Sequence, residues 1–279
     1  MKRSHLAAID KARAEISRPI GVFDSGVGGL TVLTALRKRL MHRDFIYVAD
    51  TARLPYGRKP AEMVRSFARG IATFLVRLQV EAIVIACNTA SAVALPQLAE
   101  ETAIPTWGVI EPGVEAARRQ TQSGHVGVIG TKGTIASGEY QRRIEVLGLS
   151  VWAQACPLFV HLVEEGMSGS AEAQMLAHHY LSCRPQIDTL ILGCTHYPLL
   201  RHAIQAAVGE TVALVSSADA AAEVVGNAYD GDGAGSGRTG HILHCVTGDT
   251  MAYQHTAKVI GGISGRVLPL DVAALCSAT

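Results

Sequence analysis

The chain has 279 residues with 25 Lys+Arg against 24 Asp+Glu, a formal net charge of +1, so it has no surplus of cations to displace counterions from nucleic-acid phosphates. Hydrophobic residues make up 48% and charged residues 18%, enough apolar side chain for one large core or two ordinary ones, which excludes disorder over most of the chain. Aromatics stand at only 5%, which speaks against a base-stacking platform.

Residues 1–18 mix Lys2, Arg3, Asp10, Lys11, Arg13 and Glu15 with short apolar pairs and lack the apolar core of a secretory signal. No stretch reaches the roughly 20 apolar residues of a membrane span, so a cytoplasmic protein without membrane contact is expected. From residue 19 onward, short β-branched runs ending in small or polar residues alternate with helix-period stretches. Strands are predicted at Pro19–Phe23, Phe45–Val48, Ala82–Ala86, Thr106–Ile110, Val126–Ile129 and Thr189–Leu192. Helices are predicted at Leu30–Leu40, Ala61–Leu78, Glu139–Leu147 and Ala218–Ala228. Asp230–Gly237, with Gly at alternate positions, reads as a flexible loop, and His241–Leu270 is expected to return and complete the first half.

The alternation marks parallel sheets with crossover helices. Gly21-Val22-Phe23-Asp24-Ser25 resembles Gly127-Val128-Ile129-Gly130-Thr131 at an offset of 106. Ile83 to Thr89 resembles Leu190 to His196 at an offset of 107. Either match alone carries little weight, but their shared offset predicts two similar three-layer α/β domains with mostly parallel sheets, related by a pseudo-two-fold. The expected division is an N-terminal extension at 1–18, a first domain from 19–111 plus 221–279, and a second at 112–220. The active site then lies in the cleft between them, at the carboxyl ends of the strands.

Six cysteines occur at 87, 156, 183, 194, 245 and 276 without any CxxC pair, so reduced thiols are expected. Cys194-Thr195-His196 is spaced too tightly for the usual zinc patterns, and no metal is expected. Asp24-Ser25-Gly26-Val27-Gly28-Gly29 follows a strand and opens a helix, yet Thr31 stands where a dinucleotide fingerprint needs its third glycine. An acid beside the amides of that loop is an odd choice unless it binds an ammonium group or tunes a neighbour.

Cys87 and Cys194 each end an apolar run, and a lone cysteine in that place is ordinarily a small core residue. Asn88 and Thr89 after one, and Thr195 and His196 after the other, weaken that reading, and His196 offers a proton partner. One thiol with an imidazole suits a cysteine hydrolase. Two thiols at equivalent strand ends suit inversion of a carbon centre, which needs a base on one face and an acid on the other.

Arg53-Leu54-Pro55-Tyr56-Gly57 is a turn in which Tyr56 either caps a core or points its hydroxyl at a ligand, and Thr131-Lys132-Gly133-Thr134 either grips a carboxylate or is a plain turn. Glu164 is either functional or a solvated helix end. His178-His179 face different ways on a helix and read as structural or surface residues.

Gly21 to Thr31, Pro55-Tyr56-Gly57, Ala86-Cys87-Asn88-Thr89-Ala90-Ser91, the spaced set Thr131, Thr134, Ser137 and Tyr140, and Gly193-Cys194-Thr195-His196-Tyr197-Pro198 together resemble the glutamate racemases of the cofactor-independent aspartate/glutamate racemase superfamily. The resemblance runs from about Pro19 to the C-terminus. It implies interconversion of L- and D-glutamate without a cofactor, supplying D-glutamate for peptidoglycan. Cys87 then matches the base for D-glutamate and Cys194 the base for L-glutamate, assisted by Asp24, His196 and Glu164. Asp24, Ser25, Pro55, Tyr56, Gly57, Asn88, Thr89, Thr131, Thr195 and His196 match substrate contacts.

Residues 1–18 precede the family's usual start as an extension or a disordered arm, and His161 stands where a small residue or Pro is expected. Small-molecule substrate, no nucleic acid, no membrane and a homodimer are the expected partners, although the sequence itself is silent on assembly. The rival readings are an aspartate or hydantoin racemase, a pyridoxal enzyme using Lys132, and an amino-acid-binding module without turnover.

Overall fold

The computed structural model describes residues 2–229, 238–260 and 264–276. Ten strands occur among them: β1 (Ile20–Asp24), β2 (Phe45–Ala49), β3 (Ala82–Ile85), β4 (Thr106–Gly108), β5 (His125–Gly130), β6 (Ser150–Ala155), β7 (Thr189–Gly193), β8 (Ala213–Ser216), β9 (Ile242–Val246) and β10 (Arg266–Pro269). They form a six-stranded sheet in the order β10-β9-β2-β1-β3-β4 and a four-stranded sheet in the order β6-β5-β7-β8. Every pairing is parallel.

The repeat seen in the sequence is a repeat of topology. The stretch β2-β1-β3-β4 of one sheet has the same order as β6-β5-β7-β8 of the other, so β1 corresponds to β5 and β3 to β7. The segment after 240 adds β9 beside β2 and β10 beside β9. Asp230–Gly237 lies outside the described residues.

Strands alternate sides because successive side chains leave a pleat in opposite directions. Ile20, Val22, Phe45 and Tyr47 face one core, and Phe23, Ile46, Val48, Ile83 and Ile85 face another. Leu190 and Leu192 of β7 join the first of these cores, while Val126, Val128 and Ile191 face a third. One apolar mass therefore continues from sheet to sheet. β6 escaped prediction because it is an edge strand, exposed at Ser150 and only half-buried beyond it.

The disordered-arm expectation for residues 1–18 is corrected. Lys2–Arg13 is helical, and Ile9, Ala12 and Ile16 are buried in the second core. Arg13 secures the segment by donating to the carbonyls of Leu78, Ile16 and Gln79. The buried face of this charged segment is the spaced set Ile9, Ala12 and Ile16, while Ala7 and Ala14 are exposed.

No helix among the described residues is long and apolar enough to cross a membrane. Among the same residues, no group of three His, Cys, Asp or Glu is placed to hold a metal ion.

Candidate active site

Segments leaving the carboxyl ends of β1, β2, β3, β5, β6 and β7 converge on one cavity of about 80 Å³, a size for a small molecule rather than a polymer. Ser25, Pro55, Tyr56, Gly57, Asn88, Thr89, Thr131, Glu164, Thr195 and His196 line it, together with Cys87 from the first sheet and Cys194 from the second. Asp24 is the one candidate residue that does not line it. It lies behind the wall as the last residue of β1.

The two thiols have different surroundings. Cys87 is 5% exposed and its Sγ lies 3.9 Å from Ser25 Oγ. Burial, and then the negative charge of Asp24, push this thiol up to about 12, against the opposing Ala90 N–H and Ser25 hydroxyl. Cys87 is also the N-cap of the helix Asn88–Glu101, whose free N–H groups favour negative charge.

Asp24 is 1% exposed and accepts the Gly26 N–H at 3.0 Å through Oδ2, while Oδ1 has no hydrogen-bond partner. Burial raises its pKa, opposed by the positive charge of His196 and by the N–H groups of Gly26, Gly29 and Ser25. Tyr47, donating to the Gly26 carbonyl at 2.7 Å, holds the same loop.

On the other side, His196 Nδ1 lies 3.8 Å from Cys194 Sγ and its Nε2 lies 3.1 Å from Glu164 Oε1. Burial opposes charging the imidazole. Hydrogen bonds with Cys194 and Glu164, and their negative charge, outweigh it and raise the pKa to about 10. Glu164 closes the helix Leu158–Glu164 and holds His196, so it is more than a solvated helix end. His161, on the same helix, is exposed at the cavity while Phe159, Leu162 and Val163 fill the core, so the packing there is intact.

Of the glycines after Asp24, Gly28 serves contact between the halves. A Cβ on Gly28 would stand 2.4 Å from the His196 ring and from Thr195 Oγ1. Thr31 donates its hydroxyl to the Thr195 carbonyl at 2.8 Å, so the residue that breaks the dinucleotide pattern ties one sheet's loop to the other's.

At another side of the cavity, the hydroxyls of Thr89, Thr131 and Thr134 lie 3.0–3.1 Å from one another. Thr131 also caps the short helix Lys132–Ala136. Tyr140 donates to Asn88 Oδ1 at 2.7 Å, which leaves the buried Asn88 Nδ2 as a donor with no partner. Two of the spaced motif residues, Thr134 and Tyr140, thus act on the site through Thr89 and Asn88.

Tyr56 turns its hydroxyl to the carboxylate of Asp50, leaving its ring and backbone to the cavity. Asp50 was missed in the sequence. It is fully buried and bonded to Arg53 Nε at 2.7 Å and Thr247 Oγ1 at 2.9 Å, a set whose members are up to 197 positions apart. Lys132 is exposed at the cavity edge, as is Arg58, which sequence reasoning did not single out. His178 and His179 are exposed on the helix Ala171–Leu181 and take no part in the cavity.

Comparison with known proteins agrees with this picture. Residues 30–225 match the family described as Asp/Glu/Hydantoin racemase. A glutamate racemase of Thermus thermophilus is 52% identical over 248 residues, spanning 87% of this chain and 92% of that protein. A crystal structure of glutamate racemase from Thermus thermophilus with β-chloro-D-alanine superposes with a TM-score of 0.85 at 48% identity, covering 92% of this chain and 98% of that one. The Francisella tularensis glutamate racemase in complex with D-glutamate gives 0.83 at 33% identity, covering 91% and 98%.

Proposed function

The chain belongs to the Asp/Glu/Hydantoin racemase family, and from that premise we propose that it interconverts L- and D-glutamate by proton transfer between two thiols. The substrate is assigned from relatives at 45–52% identity over three-quarters or more of this chain, all glutamate racemases. The observation that carries the mechanism is that Cys87 and Cys194, one from each sheet, line a single cavity with different proton partners.

Inversion requires one thiolate and one thiol across the α-carbon. Cys87, held up to about 12, starts as the thiol. Cys194 acts as the base for L-glutamate, beside the His196 ring that Glu164 holds from its other nitrogen. Cys194 takes the α-proton of L-glutamate, the C–H electron pair stays on carbon, and the Cys87 S–H delivers its proton to the opposite face. D-glutamate leaves with the two sulfurs in exchanged protonation states, ready for the reverse direction. Asp24 then faces the new Cys87 thiolate and tunes it from behind the wall.

Negative charge develops on the α-carboxylate during transfer. The hydroxyls of Ser25, Thr89 and Thr195, the unpartnered Asn88 Nδ2 and nearby backbone N–H groups are the donors on hand to hold it. Thr131, with the backbone of Pro55, Tyr56 and Gly57, borders the place for the side-chain carboxylate. In this reading the cavity closes between a domain of residues 19–111 plus 221–279 and one of 112–220. The product D-glutamate feeds peptidoglycan synthesis in the cytoplasm.

The test is incubation with L-glutamate in deuterated water, following optical activity and deuterium at the α-carbon. The wild type should do both, and Cys87→Ser with Cys194→Ser together should do neither. Racemisation surviving in the double variant overturns the two-thiol mechanism. Faster turnover of aspartate or a hydantoin than of glutamate overturns the substrate, and tight glutamate binding without exchange points to a binding module.

A further inference from the structure

The cavity interior offers hydroxyls, thiols and an amide to a substrate, but among the described residues the only Lys or Arg side chains that line it are Arg58 and Lys132, both exposed at its edge. They come from opposite halves. Arg58 ends the 3-10 turn Tyr56–Arg58 after β2, and Lys132 opens the short helix after β5. The halves touch at these two elements. A Cβ on Gly57 would stand 2.6 Å from Thr131, and one on Gly133 would stand 3.2 Å from the Gly57 carbonyl oxygen.

Two like charges are therefore held on facing loops, and neither has an ion-pair partner among the described residues, whereas Arg53, Arg65, Arg69, Arg118 and Arg142 each meet a carboxylate. The one carboxylate lining the cavity among the described residues, Glu164, is engaged by His196. Both charges are thus left to act on an incoming anion. Just inside lies Thr131, whose hydroxyl, held 3.0 Å from those of Thr89 and Thr134, can bond a carboxylate but cannot neutralise it.

We propose that Arg58 and Lys132 form an electrostatic entry site for the amino acid with its two carboxylates, drawing the side-chain carboxylate to the threonine end of the cavity. This rests on the glutamate reading above. The residues act on capture and leave the proton transfer to the sulfurs. A charged cleft mouth raises local substrate concentration and encounter rate by about 10- to 1,000-fold in favourable cases, and two exposed cations should sit at the lower end of that range. The field is screened beyond roughly 8 Å at 0.15 M salt.

The experiment measures kcat and KM for L-glutamate between 20 and 500 mM NaCl in the wild type, in Arg58→Gln/Lys132→Gln, and in Arg58→Glu/Lys132→Glu. The wild-type kcat/KM should fall as salt rises. The neutral double variant should lose about three- to tenfold in kcat/KM at low salt, all in KM, with kcat within twofold and little remaining salt dependence. The acidic double variant should lose more, and salt should then raise its kcat/KM. Thermal unfolding of each variant shows whether it is folded. Wild-type racemisation with an unchanged KM and salt slope in the folded neutral variant overturns this inference alone. Failure of the wild type to racemise glutamate overturns it together with the reading on which it rests.

Discussion

Glu164 Oε1 and His196 Nε2 lie 3.1 Å apart, so the imidazole that meets Cys194 through one nitrogen is anchored by a carboxylate at the other. Its raised pKa means that the imidazolium is the favoured form. The stabilisation is full below about pH 6.5 and is lost as pH climbs through about 10. Glu164→Gln removes a negative charge and should bring the alkaline limit of the L-to-D reaction to lower pH, with a loss of roughly tenfold or more in kcat. A pH–rate profile of the variant that matches the wild type would contradict this role.

Gly28→Ala tests the closeness of the halves. The added methyl would stand 2.4 Å from His196 and Thr195, and both are buried. Relieving that contact means displacing the Cys194 loop, at about 1–3 kcal/mol in stability. A drop in kcat of tenfold or more should accompany a lowered Tm, and kinetics unchanged from the wild type would show that the loop shifts freely.

Ile9→Ala separates stability from chemistry. Ile9 is fully buried in the second core, far in sequence from any residue lining the cavity, so truncation should cost about 2–5 kcal/mol. Denaturant unfolding should show that loss while kcat stays within twofold. A Tm equal to that of the wild type would mean that the N-terminal helix contributes nothing.

Acid should weaken the fold through His244. Burial lowers its pKa from 6.5 to about 4, and its ring sits between the Tyr253 hydroxyl at Nδ1 and the Ser264 carbonyl at Nε2, each at 3.0 Å. The unfolded chain takes up this proton first, so its contribution is present above pH 6.5 and drains away as pH falls through about 4, on the order of 3 kcal/mol in all. Unfolding measured at pH 7, 5.5 and 4 should fall more steeply in the wild type than in His244→Gln. Parallel slopes would refute it.

What the sequence revealed of this fold came from periodicity and repetition. Buried parallel strands such as β1, β3 and β7 are continuous apolar runs, and the cysteines stood out because polar residues follow each at matching offsets. The edge strand β6 lacks such a buried run, and in β8 it is only Ala213-Leu214-Val215 within a four-residue strand. The site was legible as a set of lining residues but not as a network. No local pattern announces that the Tyr56 hydroxyl belongs to Asp50, that Thr31 reaches Thr195 164 positions away, or that Asp24 stands behind the wall. The helix of residues 2–13 was hidden because only a narrow stripe of it is apolar.

The unequal flanks of the two sulfurs carry a thermodynamic consequence. Mirror-image amino acids have identical energies in water, so a racemase must leave them at an equilibrium constant of one, however lopsided its own groups. A carboxylate walled in behind one sulfur and an imidazole leading outward from the other therefore cannot favour either product. They can only divide the bias between turnover and saturation, and whichever enantiomer is converted faster must have a KM higher by the same factor.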